Sequence, residues 1–158
     1  MTTTDTAASL TALSTELIDG PPGDAYMLNR GDPGLLRSLD ALDAAAASRL
    51  TASGSSIAAH VDHLRYGLSL MNRWAAGEDP WSDADWTASW RRTTVSAADW
   101  EQLRAALARE ARAWAAALSR PREVTPVELN GMIGSIAHLA YHLGAIRQMD
   151  VVTRGPLA

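Results

Sequence analysis

The sequence predicts an all-α protein with four principal helices and an additional helix at the N-terminus. Apolar residues recur at three- and four-residue spacing over five separate stretches, and segments rich in glycine, proline or serine stand between most of them. No stretch alternates apolar and polar residues for long enough to indicate a sheet. A third observation is that all four histidines fall into two pairs at helical spacing, His60 with His63 and His138 with His142.

The N-terminal helix is predicted for residues 4–19, where leucines repeat along one face. The sequence Gly-Pro-Pro-Gly at 20–23 ends it. The next helix is predicted for residues 32–48. Asp32 is a suitable N-cap there, and Pro33 follows it at a position where proline is tolerated in a helix.

Three longer helices follow. They are predicted for residues 56–76, 96–119 and 130–152, and each carries an apolar stripe. The first two begin at a serine, which is a favourable N-cap, and a proline breaks the chain before the third. The connection at 78–94 is polar and rich in tryptophan, and a short helix near residues 85–90 is predicted within it.

Composition excludes several classes of function. With 158 residues the chain is predicted to be a single domain, residues 1–158. The net charge of -4 provides no basic surface for nucleic acid, and no apolar run approaches the length of a membrane span. No signal peptide is recognisable, so a cytoplasmic protein is expected. Because there is no cysteine, any bound metal must be held by nitrogen and oxygen atoms.

The two histidine pairs predict a metal site. Four-residue spacing lets His138 and His142 bind one ion from one helix, as in the helical zinc motif of metalloproteases. No glutamate follows His138, so a protease mechanism is not indicated. The third ligand is expected from the other pair, and His63 is favoured because it lies deeper in its helix beside the apolar stripe. His60 would then support the site or line the pocket, although it remains the alternative third ligand.

Three neutral imidazoles leave a coordination position open to water or substrate, which is typical of catalytic sites. Such a metal lowers the pKa of a bound water to about 7 and can also deprotonate a bound thiol. The alternative interpretation is that the histidines are ordinary surface or core residues.

The tryptophans predict packing and a pocket. Four of them are expected in the core or between helices: Trp86, Trp90, Trp100 and Trp114. Trp74 or Trp81 is instead expected to cover the pocket, because the chain that follows the second long helix passes one end of the helices.

The chain resembles the DinB-like (DinB/YfiT) superfamily of bacterial four-helix-bundle proteins. The resemblance rests on SIAAHVDHL at 56–64 and AHLAYHLGAIRQ at 137–148, and it spans residues 32–152, with 1–31 as an N-terminal extension. It implies a four-helix bundle that forms a homodimer. It also implies a divalent metal, nickel or zinc, held by His63, His138 and His142.

Characterised members of this superfamily include metal-dependent transferases and isomerases that use mycothiol or bacillithiol. The leading hypothesis is therefore a metal-dependent transferase that joins such a thiol to a small-molecule substrate. The alternative is a non-enzymatic dimeric binding or stress-response protein with a structural or vestigial metal site. A metal-dependent hydrolase ranks last, since the sequence offers no obvious general base.

Overall fold

The computed structural model describes residues 2–156 and is all-helical over that range, which confirms the predicted class. It contains six α-helices within these residues, and no strand. Their bounds are α1 Thr3–Asp19, α2 Gly34–Asp40, α3 Ala44–Ala47, α4 Ile57–Ala75, α5 Ala97–Leu118 and α6 Pro126–Met149. Three short 3-10 helices, η1 to η3, span Pro80–Ser82, Ala88–Trp90 and Val151–Thr153.

Side-chain caps define where the long helices begin. The Ser56 hydroxyl accepts a hydrogen bond from the Ala59 N–H at 3.2 Å at the start of α4. Ser96 with Asp99 forms a capping box at the start of α5, as the sequence indicates. A capping box of the same kind, Thr125 with Glu128, starts α6. Helix α6 therefore begins four residues before the predicted start at residue 130.

The helix predicted for residues 32–48 is instead two short helices, α2 and α3. The Asp43 carboxylate accepts the N–H of Ala46 at 2.7 Å and caps a new helix, which stops α2 from continuing. The connection at 78–94 likewise differs from its prediction, because it contains two 3-10 turns rather than one short helix. Both cases reflect local hydrogen bonds that apolar periodicity does not reveal.

The long helices pack around one core. Helix α4 packs against α5 and α6, and α1 packs against α2, α5 and α6. Trp100 and Trp114 are buried there, as predicted, and each indole N–H has a partner: Leu42 C=O at 2.8 Å and Ser135 Oγ at 2.8 Å. The most deeply buried apolar side chains of this core include Leu17, Ile18, Leu35, Leu39, Leu64, Leu107, Leu143 and Ile146.

Two buried carboxylates tie loops to the helices. The Glu16 carboxylate of α1 accepts the backbone N–H groups of Met27 and Leu28, each at 2.7 Å. Asp32 pairs with Arg147 of α6 at 2.6 Å and also accepts the Gly34 N–H at 2.8 Å. These contacts hold the segment before α2 against α1 and α6. Among the helices of residues 2–156, none combines the length and the apolar character that crossing a bilayer requires.

Candidate metal centre

The four histidines converge between α4 and α6. His60 and His63 lie on α4, whereas His138 and His142 lie on α6. His60, His63 and His142 are buried, and His138 is partly exposed. Because α4 and α6 are adjacent, the two pairs face each other across the helix interface.

Three of these histidines can hold one metal ion. His63, His138 and His142 each offer a ring nitrogen, and the three nitrogens lie within 4.8 Å of one another. The Nε2 atom of His138 is 3.1 Å from Nε2 of His63 and 2.9 Å from Nε2 of His142. The group therefore contains His63 rather than His60, in line with the preferred sequence interpretation.

A hydrogen-bond chain sets the tautomer of His63. The Ser89 hydroxyl donates its one hydrogen to the Trp86 carbonyl at 2.7 Å. It must therefore accept from His63 Nδ1, which lies 2.9 Å away. With its proton on Nδ1, neutral His63 presents the Nε2 lone pair toward His138, which is the form that binds a metal.

His60 lies beside His142 in the way that Ser89 lies beside His63. Its Nδ1 lies 2.8 Å from Nδ1 of His142. When His142 donates its Nδ1 proton to His60, its Nε2 lone pair faces His138. His60 thus orients a ligand-forming histidine instead of joining the three.

Burial keeps these imidazoles neutral. It lowers the pKa of His63 to about 4, and the neighbouring His138 and His60 add to the effect. It lowers the pKa of His142 to about 3, again with help from the adjacent histidines. Burial also lowers the pKa values of His60 and His138. At neutral pH each ring nitrogen without a proton is available as a ligand.

The donor set fits a divalent transition metal. Ligand nitrogens at about 2.0–2.1 Å from a tetrahedral zinc ion lie about 3.4 Å apart, which is close to the separations of 2.9 and 3.1 Å that His138 Nε2 has from the other two. One N–H among the three Nε2 atoms cannot form a good hydrogen bond to both of the others at once, whereas one cation can bind all three lone pairs. Imidazole suits nickel, zinc, copper and iron, so the residues do not select among these metals.

Two tryptophans of the connection cover the histidines. Trp90 stacks on His63, with ring centroids 4.3 Å apart and planes inclined by 24°. Trp86 lies against the same ring at 5.5 Å. Both were expected in the core or in the packing between helices. That expectation is wrong, since both side chains are partly exposed and lie at the histidine cluster. Ser89 was not identified from the sequence, because one serine in an aperiodic segment gives no signal.

A cavity of about 480 Å³ opens beside the cluster, and His63 and His138 form part of its wall. Both Trp74 and Trp81 line it, as the sequence indicated for one of them, and so does Trp86. The remaining wall comes mainly from apolar side chains and glycines of α4 and α6. A small molecule in this cavity would lie next to the ring nitrogens.

The charged residues near the site have other partners. Asp62 pairs with Arg65 at 2.8 Å and with Arg92 at 3.4 Å, so its carboxylate is engaged by arginines and not by a histidine. Arg73 pairs with Glu78 at 2.7 Å. These side chains are held in ion pairs outside the cavity wall.

The two tyrosines differ in position. The Tyr66 hydroxyl accepts the Asp85 N–H at 2.8 Å and anchors the connection to α4. Tyr141 is 70% exposed, with its ring edge-on to His142 at a centroid distance of 5.1 Å. Neither hydroxyl is placed among the three converging nitrogens.

Comparison with protein-family models, with curated proteins and with solved structures finds no match to this chain. The fold and the histidine cluster are therefore the basis for assigning a function.

Proposed function

We propose that this chain is a divalent-metal protein in which His63, His138 and His142 hold nickel or zinc. The observation that supports this most is the approach of three buried or partly buried ring nitrogens from two helices to within 4.8 Å. His60 and Ser89 would orient the ligands, since each faces the Nδ1 atom of one of them. Trp90, stacked on His63, would keep bulk water from that side.

The proposed activity is transfer of a low-molecular-weight thiol, such as mycothiol or bacillithiol, to a small electrophilic substrate. When bound, the metal supplies Lewis acidity that favours the deprotonated form of a thiol. The chain supplies the rest: neutral histidines, a covered ring face at His63, and a cavity beside His63 and His138 that can orient a substrate. We place this activity in the cytoplasm, where such thiols are kept reduced.

We also propose that the fold is a DinB-like four-helix bundle. Within residues 2–156 the four longest helices are α1, α4, α5 and α6, and α1 packs against α5 and α6. This packing favours counting α1 within the bundle, with residues 32–48 as its connection to α4. The predicted division into a 1–31 extension and a 32–152 bundle, which leaves α1 outside the bundle, is the alternative and stays a prediction.

A homodimer is the proposed assembly. Helix α6 exposes apolar side chains that a partner subunit could cover, and Val127, Ile133 and Tyr141 are between 51% and 74% exposed. Analytical ultracentrifugation of wild type and Ile133→Glu tests it. We expect a dimer that the substitution weakens, and a monomeric wild type would contradict the proposal.

The proposed transferase activity is tested by an assay for thioether formation between 1-chloro-2,4-dinitrobenzene and mycothiol or bacillithiol. Metal content is measured on the same samples. Wild type should turn over, and His142→Ala should lose both metal and turnover. Gln148→Ala, an exposed substitution on the same helix, should retain both. Stoichiometric metal without thiol-dependent turnover would overturn the transferase and favour a binding protein.

A further inference from the structure

The cavity beside the histidine cluster is apolar apart from the histidines and one serine. Trp74, Trp81 and Trp86 contribute large ring surfaces to it. None of the described residues along its wall is aspartate, glutamate, lysine or arginine. Its volume of about 480 Å³ is within the range of small-molecule pockets. A ligand that fits this wall carries no negative charge where it contacts the tryptophans, because no cationic side chain of the wall would pair with it. A positive charge would be repelled by the proposed metal ion beside the cavity.

Glycines leave the backbone of both helices bare along the cavity. Gly67 on α4 and Gly131 and Gly134 on α6 all line the cavity, although glycine is unfavourable inside a helix. A Cβ atom on Gly131 would lie 2.8 Å from the Trp74 ring, so only glycine lets that ring lie against α6. A Cβ atom on Gly67 would touch both Trp86, at 3.4 Å, and His138, at 3.6 Å.

These features describe a cavity with tryptophan rings and bare backbone in its wall. Flat apolar rings stack on tryptophan, whereas heavily hydroxylated molecules find few hydrogen-bond partners on this wall. The polar thiol cofactors of the proposed function would have to leave their hydroxyl groups without partners there. The cavity is therefore suited to the second reactant.

We infer that this cavity binds a neutral, planar aromatic molecule of one or two rings whose electron-pair donor atom faces His63 and His138. The position of the donor atom rests on the proposed metal centre, since that atom would lie beside the thiol sulfur as a fifth ligand of an ion held by the three histidines. The binding of the rings depends only on the cavity and does not require the metal.

Gly134 provides a substitution that fills the cavity without a clash at the backbone. No atom lies within 4 Å of a Cβ atom built there, so Gly134→Leu directs its side chain into open space. Gly144 on the same helix also has nothing within 4 Å of its Cβ position, and it does not line the cavity. Gly144→Leu is therefore the matched control. Gly134→Ala, a smaller change, provides an intermediate size.

The first experiment follows 1-fluoronaphthalene by fluorine NMR in titrations with the chelator-treated protein. Wild type and Gly144→Leu should bind the probe saturably and about equally well. Gly134→Leu should bind at least tenfold more weakly, with Gly134→Ala between, and circular dichroism verifies that each variant is folded. Absence of saturable binding to wild type would overturn the inference, as would equal binding by the two leucine variants.

The second experiment compares 4-phenylimidazole with imidazole on the zinc-loaded protein. Both molecules offer the same donor atom, so their difference in affinity measures how much the phenyl ring gains from the cavity. We expect the phenyl compound to bind at least tenfold more tightly. That preference should disappear in Gly134→Leu while zinc content is unchanged. No preference in wild type would overturn the orientation toward the histidines. If zinc does not bind, nickel replaces it; failure to bind either metal would overturn the metal centre and leave the fluoronaphthalene result as a separate test.

Discussion

The Nδ1 atoms of His60 and His142 lie 2.8 Å apart, while the other ring nitrogen of His142, Nε2, lies 2.9 Å from Nε2 of His138. At this distance one nitrogen must carry a proton and the other must accept it. Donation from His142 leaves its Nε2 free to bind a cation, so His60 influences the centre through the tautomer of its neighbour.

We therefore expect His60→Ala to keep one metal per chain but to bind it about 10–100-fold more weakly than wild type. His60→Gln, which retains an acceptor oxygen, should recover part of the loss. Competition with a chelator of known affinity measures both. Unchanged affinity in His60→Ala would show that the contact is incidental, and complete loss of metal would make His60 a ligand.

Ser89 has the corresponding effect on His63, whose Nδ1 lies 2.9 Å from the Ser89 hydroxyl. Ser89→Ala removes the acceptor and leaves a buried N–H without a partner. We expect about 1 kcal/mol lower stability and about tenfold weaker metal binding.

Ser82→Ala is the control for Ser89→Ala, since Ser82 also lies in a 3-10 helix and its hydroxyl donates to the exposed Asp79 carbonyl at 3.0 Å. Denaturant unfolding and chelator competition on both variants make the comparison. Equal effects of the two substitutions would contradict the role of Ser89.

The neutral histidines make the metal-free protein less stable in mild acid. Burial lowers the folded-state pKa of His63 to about 4 and of His142 to about 3, below the unfolded value near 6.5. Between those values the unfolded chain binds protons that the folded chain does not. Stability is therefore lost as pH falls below about 6.5, with a slope of up to about 1.4 kcal/mol per pH unit for each such histidine.

Urea unfolding in the presence of a chelator at pH 7.5, 6.0 and 5.0 tests this pH dependence. His142→Gln should show a shallower loss of stability between pH 6.5 and 5. Carboxylates with lowered pKa values, such as Glu128, contribute only below about pH 4.5 and do not obscure the window. Stability that stays constant or rises on acidification would contradict neutral buried histidines.

Two glycines of α6 are expected to respond in opposite ways to alanine. Gly144→Ala should stabilise the protein by about 0.5–1 kcal/mol, because the position is open and alanine favours the helix. Gly131→Ala should be about 1 kcal/mol less stable than Gly144→Ala. Its Cβ atom would lie only 2.8 Å from the Trp74 ring, so the ring has to move away. Thermal unfolding and tryptophan emission measure both. Equal stabilisation would show that Trp74 does not pack against Gly131.

The histidine cluster could be predicted from the sequence because helical periodicity alone determines which side chains share a face. Spacing placed His138 with His142, and the apolar stripe of the other helix favoured His63. The partners of these rings could not be predicted. Ser89 and Trp90 reach His63 from an aperiodic connection, and only the tertiary packing of η2 on α4 brings them there.

Some helix boundaries could likewise be predicted from the sequence, and others could not. The caps at Ser56 and Ser96 are local signals, and α4 and α5 begin where they indicate. The capping box of Thr125 with Glu128 is also local, but it was not identified from the sequence, and α6 was predicted to begin at residue 130. At residues 32–48 the leucine spacing continues across a break, and the hydrogen bond that Asp43 accepts from the Ala46 N–H starts a separate helix there.

The most direct test of the metal centre is the metal content of the purified, untagged protein and its histidine variants. Wild type should contain close to one nickel or zinc ion per chain, alone or after incubation with the metal. His63→Ala and His142→Ala should lose it, whereas His60→Ala should retain it at weaker affinity. A wild-type protein that binds neither metal after incubation would contradict the three-histidine centre, and loss of metal in His60→Ala together with its retention in His63→Ala would assign the third ligand to His60.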